Sequence, residues 1–540
     1  MTWKAGQPYT PEWTKIVWEL VPYTRGRGID LGSGPGRAFP HFIGVDNKKD
    51  TDLFTKQNQA RPDVVAEASN MDMFASESLD FVFSSHLLEH IVDYKKVLRE
   101  CWRVLKVGGR LVLYLPHKDF YPNLGKPGGN PDHKHDFLPG DITSAMRDVG
   151  SWDLIRNEPR TEDDEYSFFQ VYTKLKQGSG CKNSYLNPTP GGKTCAVVRY
   201  GAWGDALQTS SVLAALKAEG YRITLYSTER AYEVLKSDPN IDSVYLQDTD
   251  QVPNHFLGKF WAHEEKKYDK WVNLSETVEG AWLPVPNNDV WHGRPYSVRK
   301  KYLDVNYIEF AHDVAEVPYT HPLVKFHPTL EERGRAVDFK AKLKGDPVIL
   351  WALAGSSVHK IYPHIDQVLA WLMLTIPGCK VVTVGDEKCQ LIENTKPGTG
   401  VPGAYLDWDK VPCVVKASGK VSIRDTLALA QISDLVIGPE TGVLSAVCVE
   451  KMPKIVFLSH SSHNNLTRDW VNTFALFSTK TPCYPCHRLH YTWEFCHESK
   501  EIPGTADCQY DIPPQAVQLA IERALGLKAK PHIPLKVVSK

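Results

Sequence analysis

The chain has 540 residues, 42% of them hydrophobic and 24% charged, with 63 Lys and Arg against 64 Asp and Glu for a formal charge of −1. Such a length exceeds one hydrophobic core, so two or three domains are expected. The balanced charge speaks against a nucleic-acid partner, and no apolar run is long enough to span a bilayer. The opening stretch MTWKAGQPYTPEW lacks the apolar core of a secretory signal. The chain therefore reads as cytoplasmic, and its 11 scattered cysteines as reduced thiols.

The first α/β grammar begins at Arg27. A short strand runs into GIDLGSGPG at 28–36, where glycines let the backbone turn sharply and approach a ligand. Ile43–Asp46 reads as a second strand ending in an acid suited to ribose hydroxyls, and Asn70–Met73 as a polar turn where an adenine would lie. Residues 78–117 then read as strand, turn, amphipathic helix, Gly-Gly turn and strand, with Val97, Leu98, Cys101, Val104 and Leu105 at helical spacing. A helix is expected over 141–149. The polar, Gly- and Pro-rich stretch 176–193 reads as a linker.

A second grammar starts at Thr194. Strands are expected at 195–200 and 222–227 around a helix at 205–219. After a Trp- and Pro-containing segment over roughly 250–330, strands at 348–353, 380–385 and 435–438 alternate with helices at 364–376, 424–432 and 442–450. Two α/β lobes with a cleft between them follow.

Leu88-Glu89-His90 and Arg103-Val104-Leu105-Lys106-Val107-Gly108-Gly109 resemble the "LEH" and "RVLKPGG" segments of class I S-adenosylmethionine-dependent methyltransferases of the small-molecule group, over residues 25–175. The resemblance implies that Asp30, Gly32, Gly34, Asp46 and Asp72 hold the methyl donor. His86 and His117, at the ends of the fourth and fifth strands, are the candidate bases, needed only when the acceptor is a hydroxyl. Glu89 and His90 read as capping and packing groups, and residues 132–140 (DHKHDFLPG) as an acceptor-side loop. Only nine residues separate Gly36 from Asp46, too few for a crossover helix and a strand. The segment containing Trp13, Ile16, Val17 and Leu20 is the candidate cover for the sheet face left bare.

In the second half, Asp205 by itself reads as a helix-capping residue. The stretch 194–216, the loop Gly355-Ser356-Ser357 with Lys360, Tyr362 and Pro363, and ISDLVIGPETGVLSAV at 432–447 together resemble glycosyltransferase family 9, the heptosyltransferase-like enzymes of GT-B fold, over 194–525. That resemblance implies Asp205 as the base for the acceptor hydroxyl, Lys360 as the counter-charge to a leaving diphosphate, and Ser356, Ser357, Glu440, Thr441 and Gly442 as donor-binding residues. Glu440 and Ser445 stand where the family has Asp and His. With no acid cluster for Mg²⁺, sugar transfer is expected to be metal-independent and inverting. Cys483, Cys486, Cys496 and Cys508 form a candidate structural zinc site, with one C-x₂-C half.

The fold class expected is therefore α/β: a Rossmann-like methyltransferase domain at 1–175, a linker at 176–193, and a two-lobed GT-B glycosyltransferase with an acceptor lobe at 194–340 and a nucleotide-sugar donor lobe at 341–540. The leading reading is a bifunctional glycan-modifying enzyme. It would use S-adenosylmethionine and a nucleotide-diphosphate sugar as small-molecule donors, with a glycan or lipid-linked saccharide as acceptor. Two alternatives remain. One is DNA modification by sugar and methyl groups. The other is a binding or structural protein whose glycosyltransferase half has lost activity, with Glu440 and Ser445 as the motivating departures.

Overall fold

The computed structural model describes residues 11–47, 61–162, 164–186, 191–275, 293–319, 324–398 and 403–527. By contacts the chain forms two compact units. One comprises Met1–Gly191 with Leu246–Lys267, and the other Gly192–Tyr245 with Tyr268–Lys540. Among the described residues no helix is long and apolar enough to cross a membrane.

The first unit is built on a seven-stranded sheet: β1 (Gly28–Leu31), β2 (Ile43–Asp46), β3 (Val64–Val65), β4 (Leu79–Ser85), β5 (Leu105–Pro116), β6 (Trp152–Arg160) and β7 (Ser167–Lys174). Their order is β3-β2-β1-β4-β5-β7-β6, parallel except that β7 runs antiparallel to both neighbours. Parallel strands covered on both faces read as near-continuous apolar runs, as FVF and LVLYL do here. The expected amphipathic helix spans Tyr94–Val104. Asp93 caps it by accepting from the Lys96 N–H, and Val97, Leu98, Cys101, Trp102 and Val104 are buried against the sheet. The Gly-Gly segment differs from expectation. Gly108 and Gly109 lie inside β5, where the register with β4 shifts, and Gly108 takes φ +86°. The three extra residues on β5 are absorbed as an irregularity within the strand rather than as a turn.

No helix links β1 to β2. Residues on β4 alternate, so Val82 joins the main core while Phe81 and Phe83 face the other side. There Phe42 packs on Phe81 with ring centres 4.7 Å apart, and Ile16, Leu20 and Val21 are buried. Trp18 touches Phe39 and also Phe256 and Phe260, the last two at 6.2 Å. The helix Asn254–Glu265 therefore helps cover the face that a crossover helix would otherwise occupy. The Gln251 amide donates to the Val21 carbonyl at 2.7 Å, and Asp248 accepts from the Gly26 N–H and pairs with Arg25.

The second unit holds two sheets. The smaller, in order β10-β9-β8-β11, comprises β8 (Thr194–Val198), β9 (Arg222–Ser227), β10 (Ser243–Leu246) and β11 (Lys270–Asn273), with β8 parallel to β9 and β11. The larger is fully parallel in order β14-β13-β12-β15-β16-β17. It is made of β12 (Val348–Ala352), β13 (Lys380–Val384), β14 (Val414–Lys416), β15 (Leu435–Pro439), β16 (Lys454–Phe457) and β17 (Thr473–Leu476). Helices Trp203–Ala218, Ile365–Thr375 and Ile423–Ile432 follow the expected alternation. The helix expected over 442–450 is cut to Gly442–Ser445, and its continuation carries the β-branched Val447 and Val449.

Candidate functional sites

In open α/β sheets, ligands bind beyond the carboxyl ends of the strands, where loops leave the sheet. In the first unit this edge is built by the loop after β1. Gly32 and Gly34 take φ of +80° and +54°, which a side-chain-bearing residue adopts only under strain. A Cβ on Gly32 would meet the Leu87 side chain at 3.0 Å. The Asp46 carboxylate accepts the Gly34 N–H at 3.0 Å, tying the end of β2 to the loop. Asp30 is fully buried and accepts the Ala38 N–H at 2.9 Å. Burial raises its carboxyl to about 7. The Ser33 hydroxyl is buried without a hydrogen bond, an orphan polar atom at the loop's centre. Asp72 is exposed, and the Asn70 side-chain amide donates to both its oxygens at 2.9 Å. The five predicted donor-binding residues thus fall in β1 (Asp30), on the loop after it (Gly32 and Gly34), at the end of β2 (Asp46) and on the turn after β3 (Asp72).

The two candidate bases are less free than their positions suggest. His86 has φ +49°, its Nε2 lies 2.9 Å from the Ser167 hydroxyl, and burial lowers its imidazole to about 4. His117 sits at the end of β5, where its Nδ1 accepts the Asp119 N–H at 3.2 Å and its ring meets Phe120 edge-on. Glu89 departs most from its expected capping role. It is fully buried, and neither carboxylate oxygen takes part in a hydrogen bond. Burial raises its carboxyl to about 8.

In the second unit, sequence-distant motifs come together between the two sheets. Asp205 lies in the first turn of helix Trp203–Ala218, three residues beyond the N-cap position, which Ala202 occupies. Its carboxylate pairs at 3.3 Å with Arg199, which is buried and also donates to the Leu274 carbonyl. Beside it, a Cβ on Gly204 would meet the Gly442 nitrogen at 3.5 Å, and one on Gly442 would meet the Gly204 nitrogen at 3.2 Å. The turn after β8 and the turn after β15 are therefore in direct contact.

Lys360 reaches the same turn from the loop after β12. It is 5% exposed, and its ammonium donates to the Glu440 carbonyl at 3.3 Å and lies 3.9 Å from the Glu440 carboxylate. Burial lowers its ammonium below the ordinary lysine range. Glu440 is itself saturated. It accepts from the Ser459 and Ser461 N–H groups at 2.7 and 3.1 Å, and His460 Nε2 lies 2.8 Å away. Burial alone would raise this carboxyl, but His460, Lys360 and the Ser459 N–H hold it down at about 2. Its role is thus to fix Lys360 and the loop after β16. Thr441 keeps its hydroxyl buried and without a hydrogen bond, Ser356 is exposed, and the Ser357 hydroxyl is turned to the His490 carbonyl at 2.6 Å.

Cys483, Cys486, Cys496 and Cys508 all line one pocket, which Ser357 and Lys360 also border. Burial pushes the Cys486 and Cys496 thiols up to about 12. Cys486 Sγ lies 3.5 Å from His490 Nε2.

Residues 29–113 match the family model described as "Methyltransferase domain". An uncharacterised protein of Methanocaldococcus jannaschii is 31% identical over 105 residues, which are 19% of this chain and 49% of that one. A probable S-adenosylmethionine-dependent methyltransferase of Mycobacterium tuberculosis is 28% identical over 130 residues, 24% of this chain and 46% of that one. The chain spans about half the length of these curated relatives. A solved glycosyl transferase family 9 structure from Veillonella parvula superposes with TM-score 0.43 and 15% identity, over 62% of this chain and 97% of that one. The chain thus carries a methyltransferase-like domain in its first unit, and its second unit is built on two α/β sheets.

Proposed function

We propose that the chain is a bifunctional glycan-modifying enzyme. It joins S-adenosylmethionine-dependent methyl transfer to inverting, heptosyltransferase-like sugar transfer from a nucleotide-diphosphate sugar, within the domain limits given by the sequence except that Leu246–Lys267, expected in the acceptor lobe, packs with the first unit. The observation that carries this reading is the meeting of Asp205, Lys360 and the Glu440-Thr441-Gly442 turn, three motifs far apart in sequence. A carboxylate, a buried ammonium and a glycine turn with free N–H groups are what a displacement at a sugar-diphosphate carbon requires.

Asp205, oriented by Arg199, takes the proton of the acceptor hydroxyl as its oxygen bonds to the anomeric carbon. The bond from that carbon to the diphosphate oxygen breaks, and the charge left on the diphosphate is met by Lys360 and the N–H groups of the 441–442 turn. In this reading the step needs no metal.

In the first unit Gly32, Ser33, Gly34, Asp46 and Asp72 would hold the methyl donor, and the orphan Ser33 hydroxyl fits a loop made for a polar ligand. The donor supplies an electrophilic methyl group. The protein's part is to align the acceptor oxygen with it, and His86 or His117 would receive the hydroxyl proton. The structural zinc expected at the four cysteines is not part of this reading, because no three of their ligand atoms lie within 4.8 Å of one another.

Incubation with labelled methyl donor and a panel of ADP, UDP, GDP and CMP sugars, against glycan and DNA acceptors, tests the reading. Transfer of both labels to a saccharide is the expected result. Transfer to DNA alone, or no sugar transfer with any donor, would favour the alternatives.

A further inference from the structure

Among the described residues, one group of three metal-ligating side chains has its ligand atoms all within 4.8 Å of one another: Glu89, His90 and His133. Glu89 and His90 lie in the short turn Leu88–His90 after β4, at the carboxyl edge of the sheet. His133 comes from a loop 43 positions further on, and the way it is brought there is specific. The Glu89 main-chain carbonyl accepts from both the Lys134 and the His135 N–H, at 2.6 and 3.2 Å. The loop is thus pinned to the backbone of the residue whose side chain it covers. Tyr121 stacks on the His133 ring at 5.3 Å, and the His90 ring meets it edge-on at 4.7 Å.

The Glu89 carboxylate points to a ligand. It is 0% exposed, and neither oxygen has a hydrogen bond. Such a group costs on the order of several kcal/mol to bury unless something compensates it. The nearest imidazole nitrogens, His86 Nδ1 and His90 Nε2, stand 3.7 and 4.0 Å away. Those gaps are long for hydrogen bonds but suit donors that share one ion, because ligand bonds of about 2.1 Å place neighbouring donors roughly 3–4 Å apart. Two imidazoles and one carboxylate are a donor set for Zn²⁺ or Fe²⁺, and three protein ligands leave coordination positions open.

We propose that Glu89, His90 and His133 form a site for a divalent transition-metal ion, with His86 beside it, and that the open positions take a hydroxyl-bearing methyl acceptor. The role toward the acceptor rests on the methyltransferase reading, whereas the metal site does not. Leu87, next to this cluster in sequence, packs on Gly32 of the loop after β1, so the ion would sit beside the methyl-donor loop. A coordinated hydroxyl gives up its proton to solvent more readily, which makes its oxygen a better methyl acceptor.

Cobalt(II) titration of the full chain, without methyl donor or acceptor, tests the site. A background with Cys483→Ser and Cys486→Ser removes thiolate ligation there. In that background we expect about one equivalent of cobalt bound with ligand-field bands and no sulfur-to-cobalt charge-transfer band. Adding Glu89→Gln or His133→Asn is expected to weaken binding by about tenfold or more. His90→Asn serves as a third variant if either of these fails to fold by near-UV circular dichroism. Absence of cobalt binding in the cysteine background, or unchanged affinity in the folded variants, would overturn the site. If the site stands, chelation is expected to suppress methyl transfer and spare sugar transfer. Methyl transfer insensitive to chelation would overturn the acceptor role alone. A bound ion in a chain with no methyl transfer at all would instead count against the methyltransferase reading.

Discussion

Two buried glutamates, one in each unit, differ in a way that separates architecture from ligand binding. Glu440 follows β15 and has every oxygen engaged, by two backbone N–H groups, His460 and Lys360. Glu89 follows β4, is as deeply buried, and has no hydrogen bond at all. Their carboxyls are pushed in opposite directions, Glu440 down to about 2 by its partners and Glu89 up to about 8 by burial. A saturated carboxylate is a structural part that fixes the lysine next to it. An unsaturated one at the mouth of a sheet awaits a cation.

Removing one partner of a buried ion network leaves the others uncompensated, so the largest effect is expected at Glu440. Glu440→Gln should cost about 3–5 kcal/mol of stability, read by denaturant unfolding, and should lower sugar transfer by releasing Lys360. A loss under about 1 kcal/mol would show that the network is not held as a unit. A smaller effect is expected at Asp30, whose carboxyl is raised to about 7 by burial. With a raised folded value, its contribution is present below about pH 4 and lost as pH rises through 7. Asp30→Asn should therefore flatten the fall in stability of the first unit between about pH 4 and 7. An unchanged slope would mean that Asp30 titrates normally. The smallest effect, of opposite sign, is expected at Glu89. In metal-free protein, Glu89→Gln should leave the melting temperature unchanged or raise it slightly at neutral pH, since burial already keeps most of this carboxyl neutral and only its minor charged form is removed. A drop as large as that of Glu440→Gln would erase the distinction between the two residues.

Much of this was legible in the sequence because it depends on local chemistry. The glycines at 32 and 34 announce a turn of positive φ, and the apolar runs at 195–198, 348–352 and 435–437 announce buried parallel strands. Two features depend on long-range contacts and were not legible. The nine-residue link from Gly36 to Asp46 signalled a missing crossover helix, yet nothing local indicated that Phe256 and Phe260, over two hundred residues away, help to replace it. The Glu89-His90 pair was visible as a motif and read as capping and packing. Its carboxylate proved unpaired because the partner that completes the group, His133, is delivered by a separate loop. The signal available was the DHKH stretch at 132–135, rich in ligand types. The crowding of Ser357 and Lys360 beside four cysteines likewise joins segments more than a hundred residues apart.

The central claim is that two independent transferases share one chain, and Asp205→Ala tests it most directly. Methyl and sugar transfer would be measured in parallel on the folded variant and the wild type. The account predicts a fall of about 10²–10⁴-fold in sugar transfer with methyl transfer unchanged. Sugar transfer at the wild-type rate, or an equal loss of both activities in folded protein, would contradict it.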